Sequence, residues 1–243
     1  MSSVKEHYDN HLSAFYSWMT GELETAVKNQ AEVFRKLNIL PAKTGNAIDL
    51  GSGHGVQALA LESLGFKTTA IDFNERLLDE LKRNSIGTKI ETAKDDICNI
   101  LNYREKFPEV ITCCGDTISH LPSEEILKTF FFDCNKILIN NGKLFLTFRD
   151  YSKELTDVRR FIPVKSDDDR ILTCVLEYFH DRVRVTDLLY EKIDGAWIQK
   201  ASSYIKLRIG MEMVEYTMTR AGFSTEYKEA GIINTLIGRK NIT

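Results

Sequence analysis

Residues 47–55 read Ala47-Ile48-Asp49-Leu50-Gly51-Ser52-Gly53-His54-Gly55. A short apolar run is followed by three closely spaced glycines and then by a helical pattern that begins at Val56 and stops at Gly65. This is the signature of strand, tight turn and helix. Gly51 and Gly53 let the backbone pass close to a ligand with no Cβ in the way. Ser52 lies between them, and the helix start behind the turn presents free N–H groups. A dinucleotide fingerprint has a glycine or alanine two spacers after the second glycine. Here that position is Val56, and Gly55 comes one residue early. Asp49, two residues ahead of Gly51, suits a ligand bearing a positive amine better than a pyrophosphate.

Outward from this turn the chain alternates strand and helix. Strands are expected at 46–50, 67–71, 89–92, 110–114 and 143–148. Helices are expected at 56–64, 75–84 and 123–139, the last with Ser123 as N-cap. Short, nearly continuous apolar strands between helices imply an α/β fold, with a parallel sheet covered on both faces. Ligands of such sheets bind at the carboxyl ends of the strands. Ahead of the first strand, residues 8–37 read as two helices broken near Thr20-Gly21. From 159 to 207 the pattern changes to β-strands at 170–179, 182–192 and 197–207, joined by hairpin turns at His180-Asp181 and Asp194-Gly195. A helix at 211–221 and strands at 223–228 and 235–239 close the chain.

Composition narrows the classes. With 43% hydrophobic and 28% charged residues, the 243-residue chain has ordinary globular usage and length for one domain, 1–243. A formal net charge of -3 lacks the basic excess of a duplex-binding domain, so no nucleic-acid partner is expected. The five cysteines include no C-x-x-C spacing, which points to free thiols in a reducing compartment and no metal site. No run reaches the length of about 18 apolar residues that a membrane span needs. Met1 to Asn10 is polar, without the apolar segment of a signal peptide. A cytoplasmic protein is the expectation.

Two further carboxylate positions follow the first. Asp72 ends the second strand, 19 residues after Gly53 (72 minus 53). A carboxylate there can accept both hydroxyl hydrogens of a ribose; the alternative is an N-cap for the helix beginning at Glu75. Phe73 follows it. After the third strand, Asp96-Ile97 offers an acceptor for an exocyclic amine and an apolar side chain to pack on an adenine ring, while the neighbouring Asp95 reads as solvated.

Taken together, Asp49 to Gly55, Asp72 and Asp96-Ile97 resemble the successive cofactor motifs of class I S-adenosylmethionine-dependent methyltransferases. The resemblance spans roughly 46–239. It implies a Rossmann-like, doubly wound, seven-stranded and mostly parallel sheet with the last strand antiparallel. An antiparallel β insertion (155–208) and an N-terminal helical lid (1–40) would be added to it. It also implies S-adenosyl-L-methionine as cofactor, with the glycine turn facing its methionine part. Segment 114–121, Cys114-Gly115-Asp116-Thr117-Ile118-Ser119-His120-Leu121, lacks the Pro-Pro motif of nucleic-acid amino methyltransferases and the Pro-Cys of cytosine C5 enzymes. With Arg149-Asp150-Tyr151 it is similar to glycine N-methyltransferase-like enzymes.

That similarity implies a small-molecule acceptor methylated on nitrogen or oxygen, with Cys114 and His120 at the cofactor. It also places Asp116, Arg149 and Tyr151 at the acceptor. Asp116 stands where that group usually has Asn, and a carboxylate there favours an amine or hydroxyl over glycine itself. Asp116 and His120 are the candidates to accept or orient a proton. Arg149 has the alternative of a surface ion pair with Asp150, and His120 that of a structural role. Tyr8, His11, Tyr16 and Trp18 resemble the lid of this branch, with Tyr16 touching the cofactor; a core-packing helix is the other reading. A nicotinamide-dependent oxidoreductase, NAD(P)-linked, shares the glycine turn and the acidic strand end; Val56 in place of the third glycine, and the lack of an obvious Tyr-x-x-x-Lys pair, count against it. A non-catalytic S-adenosylmethionine-binding protein would show the same motifs. A monomer or homodimer fits either case.

Overall fold

The computed structural model describes residues 3–241; Met1, Ser2, Ile242 and Thr243 of the expected domain lie outside the described residues. Three helices precede the first strand: α1 (Val4–Asn10), α2 (Tyr16–Thr20) and α3 (Leu23–Lys36). The expected break at Gly21 is there, with φ +90°. A second break at His11–Phe15, bridged by a short 3-10 turn, divides the first of the two expected helices. β1 (Asn46–Leu50), α4 (Val56–Ser63), β2 (Lys67–Asp72), α5 (Glu75–Asn84) and β3 (Glu91–Lys94) follow. Then come β4 (Val110–Cys113), α6 (Glu124–Ile137) and β5 (Lys143–Phe148). An antiparallel group, β6 (Phe161–Ser166), β7 (Arg170–Tyr178), β8 (Arg182–Ile193) and β9 (Ala196–Leu207), leads to α7 (Met211–Arg220), β10 (Phe223–Glu229) and β11 (Asn234–Lys240).

The main sheet has the order β10-β11-β5-β4-β1-β2-β3. β1 through β5 pair in parallel, and β11 runs antiparallel to β5 and to β10. β1 and β4 lie in the middle of the sheet and are buried on both faces. On one face α6 presents Leu127, Phe130, Phe131 and Cys134, all buried with Ile48, Leu50 and Ile111. On the other, Phe34 of α3 and Leu61 of α4 pack with Phe145. Each such fully buried side chain contributes about 1.5–3 kcal/mol.

α3 therefore belongs to the core layers. Of the expected 1–40 lid, α1 and α2 are the elements that line cavities. Among the described residues no helix is long and apolar enough to cross a membrane.

Two boundaries depart from the sequence pattern. β3 lies two residues beyond the expected 89–92, because its register follows Thr69 to Asp72 of β2 and it is a half-exposed edge with little apolar signal. β6 has no counterpart among the expected strands; its mostly exposed residues include Pro163, and a register shift follows that proline. β6 to β9 form a separate sheet in that order. β8 buries alternate residues Val183, Val185, Asp187 and Leu189, so one face of this sheet turns toward the body of the molecule.

α4 is seated by Gly55, which caps it at φ +109°. A Cβ there would lie 2.1 Å from Leu81 Cδ1 of α5. Gly55→Ala is therefore expected to cost about 2 kcal/mol or more in urea denaturation, through strain and overpacking together; an unchanged midpoint would contradict this packing.

Candidate active site

Two carboxylates organise the turn after β1. Gly51 and Ser52 N–H both donate to the Ile71 carbonyl, at 2.8 and 3.1 Å. Gly53 N–H donates to Asp72 Oδ2 at 2.8 Å, and Asn74 N–H to Asp72 Oδ1 at 2.8 Å. The cap of α5 is Asn74, whose Oδ1 accepts from Leu77 N–H, so Asp72 is not the N-cap. Burial raises its carboxyl pKa against the pull of these N–H groups. At Gly51 (φ +68°) a Cβ would stand 2.6 Å from Thr117 Cγ2, so the turn and the segment after β4 close together only with glycine there. Asp49 sits behind the turn. Thr112 Oγ1 donates to its Oδ1 at 2.7 Å, its Oδ2 has no partner, and burial pushes its carboxyl up to about 7. Ser52 is likewise buried with an unpartnered Oγ.

In front of the turn lies a cavity of about 290 Å³. Gly51, Gly53, Asp72, Phe73, Asp96, Ile97, Cys114, Tyr16 and His120 line it, which brings together every sequence-predicted cofactor residue except Asp49 and Ser52. Asp96 Oδ1 accepts from Cys98 N–H and so caps a 3-10 segment, Ile97–Lys106, that the sequence pattern did not reveal. Asp95 turns to Asn99 and Tyr103 instead. From α1, Val4, Lys5 and Tyr8 complete the wall.

A second cavity, of about 720 Å³, adjoins the first. The two share Tyr8, Tyr16, Gly115 and His120. Asp116, Arg149 and Tyr151 line the second. Asp116, at φ +71°, is not a free carboxylate. Its Oδ1 accepts from Arg149 N–H at 3.1 Å, and its Oδ2 from Tyr151 Oη at 2.6 Å and Lys206 Nζ at 2.5 Å. The expectation that it would seek an amine or hydroxyl thus meets a charge already neutralised by Lys206. Asp150 accepts from Ser152 and makes no ion pair with Arg149. His120 has an unpartnered Nδ1; burial first, then the positive Lys206, lowers its pKa well below the usual range. Burial holds the Tyr8 phenol far above its ordinary pKa and Tyr16 up at about 12.

Residues 47–142 match the family model described as "Methyltransferase domain". Over that stretch the chain is similar to methyltransferase domains. Solved structures agree in fold. An S-adenosylmethionine-dependent methyltransferase from Clostridium acetobutylicum ATCC 824 is 18% identical, covers 97% of this chain and 96% of its own, and gives a TM-score of 0.74. The CcbJ methyltransferase from Streptomyces caelestis is 13% identical over 97% and 98%, with a TM-score of 0.80. CalS10 from Micromonospora echinaspora, an amino pentose methyltransferase involved in calicheamicin biosynthesis, is 13% identical over 94% and 96%, with a TM-score of 0.71. At these identities the likeness establishes the Rossmann-like fold of class I methyltransferases. No curated protein matches the chain. The domain match displaces the oxidoreductase alternative.

The site also holds several buried polar residues that the sequence pattern does not single out. His7 of α1 sits 3.1 Å from Asp187 Oδ2 of β8, at ion-pair distance. Its Nδ1 is 2.8 Å from Ser202 Oγ of β9, and its ring stacks on Tyr204 at 4.1 Å. Asp187 and Lys206 had a readable signal: each is a charged residue at an inward position of an alternating strand, as in Val183-x-Val185-x-Asp187-x-Leu189.

Lys206→Met leaves a buried, unpaired carboxylate at Asp116 and is expected to cost about 3–5 kcal/mol in urea denaturation. Adding Asp116→Asn should recover most of that loss; additive losses would refute the pairing. Asp49 makes a pH-dependent contribution. Its folded carboxyl, up at about 7, exceeds the ordinary value of 3.8. Stability linked to it is full below pH 3.8 and is lost as pH rises through about 7. Relative to the parent, Asp49→Asn should therefore gain stability between those pH values and hold the gain above them. A difference that stays flat across that window would overturn the assignment.

Proposed function

We propose that this methyltransferase moves the S-methyl group of S-adenosylmethionine to a nitrogen or oxygen atom of a small molecule, with the donor in the first cavity and the acceptor in the second. The observation that carries the reading is the shared wall: Tyr8, Tyr16, Gly115 and His120 face both cavities. The first cavity fits the donor by its chemistry. Asp72 spends one lone pair of each oxygen on Gly53 and Asn74 N–H groups, which leaves capacity for two ribose hydroxyls. Asp96 and Ile97 stand together for the adenine, and the backbone at Gly51 and Gly53 lies open for the methionine part. Bound there, S-adenosylmethionine supplies an electrophilic methyl carbon on a sulfonium.

The rest of the chemistry is positioning and exclusion of water. α1 and α2 cover the junction with the rings of Tyr8 and Tyr16, both protonated at neutral pH. His120 is uncharged there and presents an unpartnered Nδ1, so it is placed to hydrogen-bond the acceptor and orient it at the shared wall. Asp116, held by three donors, orients Tyr151 and Lys206 and does not act as the base.

Isothermal titration with S-adenosylmethionine, S-adenosylhomocysteine and NADH is the test. Binding of both sulfur nucleotides at about micromolar Kd, weakened at least about tenfold by Asp72→Ala, is expected from the loss of two charge-assisted hydrogen bonds. Tighter binding of NADH, or no binding of either sulfur nucleotide, would refute the reading.

A further inference from the structure

With the second cavity as the acceptor site, a reading on which the inference rests, its walls also define the chemistry of the acceptor. Its volume of about 720 Å³ is in the range of pockets that enclose ring-sized organic ligands. One side is apolar. Ile162 and Val164 of β6, Leu176 of β7 and Val185 of β8 line it from the inner face of the β insertion, and Met19 and Leu155 extend the surface. A glycine-sized acceptor would leave this wall uncovered.

The polar end is defined by Asn234, the first residue of β11. It is buried, at 1% exposure, and lines the cavity. Gly231 N–H donates to its Oδ1 at 3.2 Å. A backbone N–H can only donate, so this bond fixes the amide with oxygen toward Gly231 and Nδ2 away from it. Nδ2 has no hydrogen-bond partner. Buried amide donors are nearly always satisfied, and here the cavity is where a partner can come from. Asn234 pairs in register with Phe148, the residue before Arg149.

Two cations at this end lack a carboxylate partner. Of the inward acids, Asp116 is paired with Lys206, and Asp187 accepts from Cys174 Sγ and lies 3.1 Å from His7 Nε2. Arg149 and Lys153 line the cavity and form no ion pair among the described residues, against one acid, Asp150, whose Oδ1 accepts from Ser152.

We propose that the acceptor is an amphipathic molecule, its apolar body lying on the inner face of the β insertion and an anionic oxygen end accepting a hydrogen bond from Asn234 Nδ2. Asn234 is thus a specificity residue. Three probes separate the possibilities by isothermal titration into the S-adenosylhomocysteine-loaded protein. 4-Phenylbutyrate has the body and the anionic oxygens, 4-phenylbutylamine the same body with a cationic end, and glycine no body.

Phenylbutyrate should bind roughly tenfold tighter than the amine, and glycine should give no heat. Asn234→Leu should weaken phenylbutyrate about fivefold. Asn234→Asp, which keeps the acceptor for Gly231 N–H and adds a negative charge, should weaken it by more. Neither substitution should alter S-adenosylhomocysteine binding. The proposal is overturned if the amine binds as well as the acid, if glycine binds as well as either, if phenylbutyrate gives no heat, or if both Asn234 variants bind it like the parent. Failure of S-adenosylhomocysteine to load is a separate result, against the donor reading; phenylbutyrate titrated into the unloaded protein still decides the acceptor chemistry.

Discussion

The carboxylate of Asp72 is buried at the end of β2 and accepts backbone N–H groups from two turns at once, Gly53 after β1 and Asn74 before α5. A charge in that position is unfavourable without donors, so the two turns and the carboxylate hold one another in place. The Ile71 carbonyl adds two more bonds to the same glycine turn. The result is a rigid floor at the carboxyl ends of the central strands, where a parallel sheet presents its ligand site. The rest of the first cavity is built onto that floor by elements that reach it from elsewhere: Asp96 and Ile97 after β3, Cys114 and His120 after β4, and the tyrosines of α1 and α2.

A second constraint joins the two sheets. Lys206, on the insertion, reaches Asp116, on the turn after β4, and Tyr151 joins the same oxygen. His7 joins α1 to Asp187 and Ser202 on the far side of the same cavity. α1 therefore contributes Tyr8 to the first cavity while His7 ties it to the sheet of the β insertion. Buried polar pairs of this kind give geometric definition more than net stability. Here they fix where the insertion lies relative to the glycine turn.

The parts of the fold that are legible in the chain are those with strong periodicity. β1, β4 and β5 are short, mostly apolar runs buried on both faces, and α5 and α6 carry Asn74 and Ser123 at their N-caps. The glycine turn with Asp72 at the end of the next strand points to the first cavity, because both lie at the carboxyl ends of adjacent parallel strands. Asp49 and Ser52 belong to the same motif but lie behind the turn, outside the cavity wall, since strand alternation fixes only which face a side chain takes and not its depth. β3 and β6 are exposed edges, where packing imposes little pattern, so the sequence displaces the first and hides the second. Lys206, Asp187, His7 and Asn234 escape a sequence reading for a different reason. Their roles come from pairing across elements far apart in sequence, and a single charged residue in a strand does not name its partner. Asp116 shows the consequence, because its chemistry is set by Lys206, 90 residues away.

The central claim is that donor and acceptor cavities meet at one wall formed by Tyr8, Tyr16, Gly115 and His120. A crystal structure of the protein with S-adenosylhomocysteine tests it most directly. The nucleoside should lie against Asp72, Asp96 and Ile97, with the sulfur at the shared wall, facing the cavity lined by Arg149 and Asn234. A nucleotide bound elsewhere, or one whose sulfur faces away from that wall, would contradict the two-cavity account.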